Sequence, residues 1–242
     1  MCDAAPVEAG SPHVRRVARA GVLALCDRIE RAPGTTTYAE GAVRFATAEE
    51  RIAIAPPFRF DHWEQSDRIE TAPLREHLAV PRLVGLLVVR LGGYGAGVYA
   101  DEKLVSGRHG VRFVKNRNKK GGSSSNRFRR RRVEQARDAY DRATALAEEI
   151  LAPHAPALDE FVVAGDRAGI DQVLERSPLL AGLREHALTL PVHVPELRRA
   201  VLEQLGRELW SSTVELTRQK GTEGAAGGEG AASSHESPGP SA

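Results

Sequence analysis

The chain has 242 residues, 41% hydrophobic and 27% charged, the make-up of a soluble globular protein with one sizeable core or a core and a small appendage. No apolar run approaches the ~20 residues needed to span a bilayer. The start, MCDAAPVEAGSPH, lacks the basic and apolar segments of a secretory leader, and Cys2 and Cys26 alone exclude a disulfide framework or a thiolate metal site, so a cytoplasmic location is expected. With 34 Lys and Arg against 32 Asp and Glu the net charge is only +2, and any strong field must be local.

Residues 1–12 are small and polar and are expected to be disordered. Val14 to Arg31 reads as an amphipathic helix, with Val17, Val22, Leu25 and Ile29 at helical spacing and Pro33-Gly34 ending it. Cys26 lies among its apolar residues as a small hydrophobe. Thr35–Thr37, Ala42–Ala46 and Arg51–Ala55 read as short strands, and Leu74–Leu78 as a short helix. Leu83 to Arg90 (LVGLLVVR) is the strongest strand signal, fit for the centre of a sheet. Tyr94–Ala100, Lys103–Ser106 and Val111–Val114 continue it as an antiparallel meander. From Ser124 to Leu151 the period becomes helical, with Phe128, Ala136, Tyr140, Ala143, Ala147 and Ile150 on one stripe. Phe161–Ala164 is a strand, followed by a helix to about Arg176 that Asp166 caps. Leu188–Val194 reads as a final strand and Pro195–Thr217 as a helix. The expected fold is α/β (α+β), a mixed, largely antiparallel sheet flanked by helices, in one domain over 13–218. Residues 219–242 (QKGTEGAAGGEGAASSHESPGPSA) hold no aromatic or large apolar residue and should be a disordered tail.

Most of these elements carry no chemical signature. The hairpin GGYGAG (Gly92–Gly97) lacks the spacing of a dinucleotide-binding loop and leads into a strand, whereas phosphate is held at the start of a helix. GDRAGIDQVLE (Gly165–Glu175) opens a helix, but Asp166 there repels an anion and is better placed as a cap. His62, His77, His109, His154, His186 and His193 are scattered without metal-ligand spacing, and no G-x-S-x-G elbow occurs. Neither metal nor cofactor is expected.

One segment stands apart. From Val111 to Arg132 there are ten Lys or Arg and no Asp or Glu, centred on Gly121-Gly122 and three serines. Charge runs are commonly solvated surface. Here the charges flank the glycines on both sides, and Phe128 interrupts the arginine cluster. Four arginines at a helix N-terminus also oppose the helix dipole at a cost of a few tenths to ~1 kcal/mol each. Contact with nucleic-acid phosphates accounts for that arrangement.

The segment GGSSSNRFRRRR resembles the tip of the catalytic middle domain of archaeal and eukaryotic class-one peptide release factors, where Gly-Gly-Gln leads to Arg-Phe and a basic helix. It is more similar to the related ribosome-rescue peptidyl-tRNA hydrolases of the actinobacterial-type branch. The shared order is a strand and Gly-Gly-Tyr hairpin (LVVRLGGYGAGVY), a basic Gly-Gly loop, a basic helix with a downstream Gln (RFRRRRVEQARDAYDRA), and a strand ending in Gly-Asp (VVAGDRAGIDQVL). The resemblance covers about Leu83–Leu180. It implies a peptidyl-tRNA hydrolase, with the large ribosomal subunit, peptidyl-tRNA and ribosomal RNA as partners and no membrane. Gly121, Gly122, Ser123, Ser125, Asn126 and Arg127 would form the catalytic tip, and Lys115, Arg117, Lys119, Lys120, Arg129, Arg130, Arg131 and Arg132 would hold RNA.

This chain departs from the family at one point. Release factors carry Gln directly after Gly-Gly, and the rescue branch places it nearer Arg-Phe. Here Ser123 stands in the first position and Ser125-Asn126 in the second. The amide of Asn126, one methylene shorter, is one substitute. The main-chain N–H of Ser123, which any residue supplies, is the other. A ribosome or RNA binder that has lost the chemistry with the Gln is the alternative function.

Overall fold

The computed structural model describes residues 12–90, 93–111, 125–192, 194 and 196–219, with residues 125–132 described by their backbone alone. In chain order the elements are β1 (His13–Val17), α1 (Arg19–Ile29), β2 (Gly34–Ala39), β3 (Ala42–Thr47), β4 (Glu50–Ala55), β5 (Glu64–Ser66), α2 (Ala72–Ala79), β6 (Leu83–Arg90), β7 (Gly93–Ala100) and β8 (Lys103–Val111). They continue with α3 (Ser125–Leu151), β9 (Glu160–Gly165), α4 (Arg167–Leu174), α5 (Pro178–Arg184), β10 (Leu188–Thr189), α6 (Arg199–Leu209) and β11 (Ser212–Arg218). The class is the expected mixed, largely antiparallel α/β one, and the strands divide into two sheets. One runs β1-β11-β4-β3-β2-β5 and is antiparallel throughout. The other runs β10-β9-β6-β7-β8, an antiparallel β6–β8 meander to which β9 and β10 add in parallel.

Burial explains why LVGLLVVR was so legible. Leu87 and Val89 face a core shared with α3, α4 and α5, while Val84, Leu86 and Val88 face a second core under α6. A strand covered on both faces needs apolar side chains at every position. A third core lies between the six-stranded sheet and helices α1 and α2, and contains Cys26. Burial pushes that thiol up to about 11, so Cys26 packs as a hydrophobe and is not a nucleophile. Phe60 enters this third core and Phe58 the α6 core, where its ring meets Trp210 edge-on at 5.3 Å. Residues 58–60 thereby tie the two sheets together. No helix among the described residues is long and apolar enough to cross a membrane.

Four expectations are corrected. The helix expected over Val14–Arg31 begins only at Arg19, because His13–Val17 pairs with β11 and is a strand. Lys103–Ser106 and Val111 belong to one continuous strand. The glycines within it make room for side chains: a Cβ at Gly110 would sit 2.5 Å from the Tyr94 ring, and one at Gly107 2.9 Å from Leu104. The strand expected over Leu188–Val194 is only Leu188–Thr189, since Pro191 cannot donate to a ladder. The helix expected over Pro195–Thr217 is α6 followed by β11. Past Trp210 the period changes to two, with Val214 buried against the third core and Glu215 exposed. The Asp166 cap is present, its carboxylate accepting from the Gly169 N–H at 2.8 Å. Residues 112–114 of the strand expected at Val111–Val114 lie outside the described residues.

His77, on α2, sits against the Phe60 ring (4.7 Å) and accepts from Arg82 Nη2 through Nδ1 at 3.5 Å. Burial, and then the Arg82 charge, lower its pKa from 6.5 to about 4. An unfolded chain takes up a proton near 6.5 that the folded chain refuses until about 4. Stability contributed by neutral His77 is therefore complete above that interval and lost as pH falls through it. Urea unfolding is expected to show a loss on the order of 1–3 kcal/mol between those pH values, reduced by the partial exposure of the ring, that His77→Gln removes.

Candidate functional site

The basic segment begins where β8, the edge strand of the second sheet, ends. The last residue of β8, Val111, pairs with Gly93 at the start of β7, which pairs with Arg90 at the end of β6. Parallel β9 finishes at the same level, Gly165 opposite Val89. In the sequence, residues 112–124 join the end of β8 to the start of α3. Lys115, Arg117, Lys119, Lys120, Gly121, Gly122 and Ser123 lie in this connection, outside the described residues. Ser125, Asn126, Arg127 and Arg129 to Arg132 form the first turns of α3, where the backbone alone is described.

The long helix is held by its second half. From Val133 onward its first buried side chain is Ala143, followed by Leu146, Ala147, Ile150 and Leu151 in the core. Thr144 Oγ1 donates to the Val173 carbonyl at 3.3 Å, and the Ser177 hydroxyl donates to Glu148 at 2.6 Å. Arg176 pairs with Asp141 at 3.0 Å and lies over the Tyr140 ring at 5.3 Å. Arg108 of β8 makes a two-oxygen contact with Glu149 at 2.7 and 2.8 Å. With a rise of 1.5 Å per residue, Ser125 stands about 27 Å along the helix axis from Ala143. Among the described residues, the side-chain packing of α3 thus lies in its second half, well along the axis from the basic turns.

The turn between β9 and α4 is equally constrained. Gly165 adopts φ +108°, and the Asp166 N–H donates to the Val89 carbonyl at 2.7 Å. A Cβ at Gly169 would come within 2.8 Å of Val89 and 3.5 Å of the Tyr140 ring, so the absence of one lets α4 seat against both β6 and α3. These supports were not singled out from sequence as parts of the site. The Gly-Asp pair closing β9 was their one signal. The partners Tyr140, Asp141 and Glu148 are spread along a helix whose polar residues resemble ordinary surface.

Among solved structures, the chain is similar to an archaeal translation termination factor, aRF1, at 13% identity and TM-score 0.33, covering 72% of this chain and 65% of that one. The chain thus spans just under two thirds of that factor's length. It is also similar to the Vms1 mitochondrial localization core (10% identity, 71% of this chain and 75% of that one, TM-score 0.40). Archaeoglobus fulgidus Pelota matches at 12% identity over 84% of this chain and 67% of that one, with TM-score 0.28. The family model of the Actinobacteria/chloroflexi VLRF1 release factor matches residues 82–215, more than half of the chain. That match takes in the meander, the basic connection, α3 and its supports, and the chain belongs to the Actinobacteria/chloroflexi VLRF1 release factor family.

Proposed function

We propose that the protein is a peptidyl-tRNA hydrolase that frees nascent chains on stalled ribosomes. The observation that carries this reading is the joining of a Gly-Gly segment, flanked on both sides by Lys and Arg, to the first turns of a long helix whose second half is clamped in a core, within a release factor family. In the reaction, water adds to the ester carbonyl, the oxyanion forms, and the ribose oxygen leaves with a proton. Lys115, Arg117, Lys119, Lys120 and Arg129 to Arg132 hold ribosomal RNA phosphates and aim the segment at the ester. Gly121 and Gly122 let the backbone approach RNA without a Cβ. A main-chain N–H following them donates to the oxyanion, a role worth ~2.7–4 kcal/mol for one donor.

The start of α3 at Ser125 bears on which group donates. Asn126 is the second residue of that helix, whereas Ser123 precedes it and directly follows the glycines. This supports the Ser123 N–H as the donor, with Asn126 and Arg127 shaping the first turn. Asn126→Ala is accordingly expected to keep peptide release within about 5-fold of the parent, well short of the 10²–10³ that loss of an oxyanion donor costs. Single-turnover release from stalled ribosome–nascent-chain complexes measures it. Tight ribosome binding with no release would favour the other reading, a binder that lost its chemistry with the family Gln.

A further inference from the structure

The six-stranded sheet has one face in a core and one without. Tyr38, Val43, Phe45, Ile52, Ile54 and Val214 point toward α1 and α2. The register puts the alternate residues on the other face: Arg44 opposite Thr37 and Ala53, and Arg51 opposite Ala46. The buried side chains of every described helix belong to one of the three cores, so no described helix covers this side. Its floor is Ala and Thr, and two arginines rise from it. Arg44 makes one 3.7 Å contact with Glu40, between side chains 52% and 76% exposed, an ion pair of little worth in water. Arg51 is exposed and has no ion pair among the described residues. Strand geometry puts their Cα atoms about 8 Å apart.

At the free edge of the same face stands Trp63, 72% exposed. His62 and Glu64 lie on the core side, the His62 ring 4.8 Å from Tyr38 and Glu64 opposite Tyr38 in the ladder. Alternation therefore turns Trp63 outward, into the row of Ala39 and Ala42. The far edge differs, because Arg16 of β1 bonds to Glu208 of α6 and Glu215 of β11 supplies a carboxylate. The cationic, aromatic part of the face is thus the β4–β3–β2–β5 side. An exposed indole beside Arg51 and the weakly paired Arg44 on an open sheet matches what unpaired RNA needs: an aromatic ring to stack a base and guanidinium groups for phosphates.

We infer that this face binds a single-stranded RNA segment, Trp63 stacking a base while Arg44 and Arg51 hold neighbouring phosphates. The inference rests on the reading that the chain works on RNA, and adds a second attachment to it, outside residues 82–215. The test uses the full chain with Lys115, Arg117, Lys119, Lys120, Arg127 and Arg129 to Arg132 replaced by Ser, so that the basic segment does not hold the RNA. It is titrated with an oligoadenylate octamer while tryptophan emission is followed. Trp210 is buried, so quenching reports Trp63. Quenching is expected, and Trp63→Ala should weaken binding of a labelled octamer roughly 5- to 100-fold. Arg51→Glu, which leaves the indole in place, should weaken it at least about 3-fold and lower its salt dependence. Absence of quenching, or an affinity unchanged by both substitutions, overturns the inference and leaves a protein partner for this face. Peptide release by the unsubstituted chain is measured separately, so either reading can fail without the other.

Discussion

Gly122→Val is expected to lower the rate of peptide release by at least ~10²-fold while leaving ribosome affinity within about 2-fold. Affinity in the proposed mechanism comes from eight Lys and Arg side chains flanking the tip, none of which the substitution alters. Rate comes from how closely the main chain at Gly121, Gly122 and Ser123 approaches the ester. A β-branched side chain both blocks that approach and restricts the backbone. One misplaced donor costs ~2.7–4 kcal/mol in the transition state. Release kinetics at saturating protein, beside sedimentation of the ribosome complex, separate the two effects. Equal loss of both would place Gly122 in binding.

Gly165→Ala is expected to destabilise the fold by about 3 kcal/mol, with Tm lowered by roughly 6–12 °C. Two causes act together. The φ of +108° is one that L side chains rarely adopt, and the added Cβ would lie 2.1 Å from the Val89 carbonyl oxygen. That oxygen also accepts from the Asp166 N–H, so relief of the clash breaks the joint between β6, β9 and α4. Gly182→Ala is the control. It lies in α5 with nothing within 4 Å of a Cβ, and should stabilise by ~0.5–1 kcal/mol. Urea unfolding of both variants measures the difference. A Gly165→Ala protein as stable as the parent would contradict the geometry.

The second sheet was legible from sequence where local pattern and tertiary role coincide. Leu83–Arg90 is apolar at every position because both its faces are covered, and Asp166 follows a strand and caps the next helix just as its chemistry suggests. The first sheet was less legible because long-range pairing closes it. Val14-Arg15-Arg16-Val17 fits a helix as well as a strand until β11, some two hundred residues later, arrives beside it. Ser212–Arg218 was absorbed into the preceding helix because Leu205, Leu209 and Leu216 are compatible with one continuing apolar stripe. Gly107 and Gly110 lie inside β8, and the Leu104 and Tyr94 side chains occupying their space explain them. Of the candidate site, charge and glycine placement were visible in composition. Its mounting was visible only in part: the stripe Ala143, Ala147 and Ile150 announced the buried half of α3, whereas the single polar contacts from β8, α4 and the start of α5 follow no periodicity.

The proposed mechanism separates grip, from the flanking Lys and Arg, from catalysis, by main-chain donors at the Gly-Gly segment. On that proposal the chemistry needs no glutamine. The most direct measurement is a single-turnover assay in which the unsubstituted chain is added to ribosomes stalled with peptidyl-tRNA. The mechanism predicts peptide freed well above the buffer rate, with the tRNA intact and the reaction saturating at the concentration that saturates ribosome binding. Binding without release above buffer would contradict it.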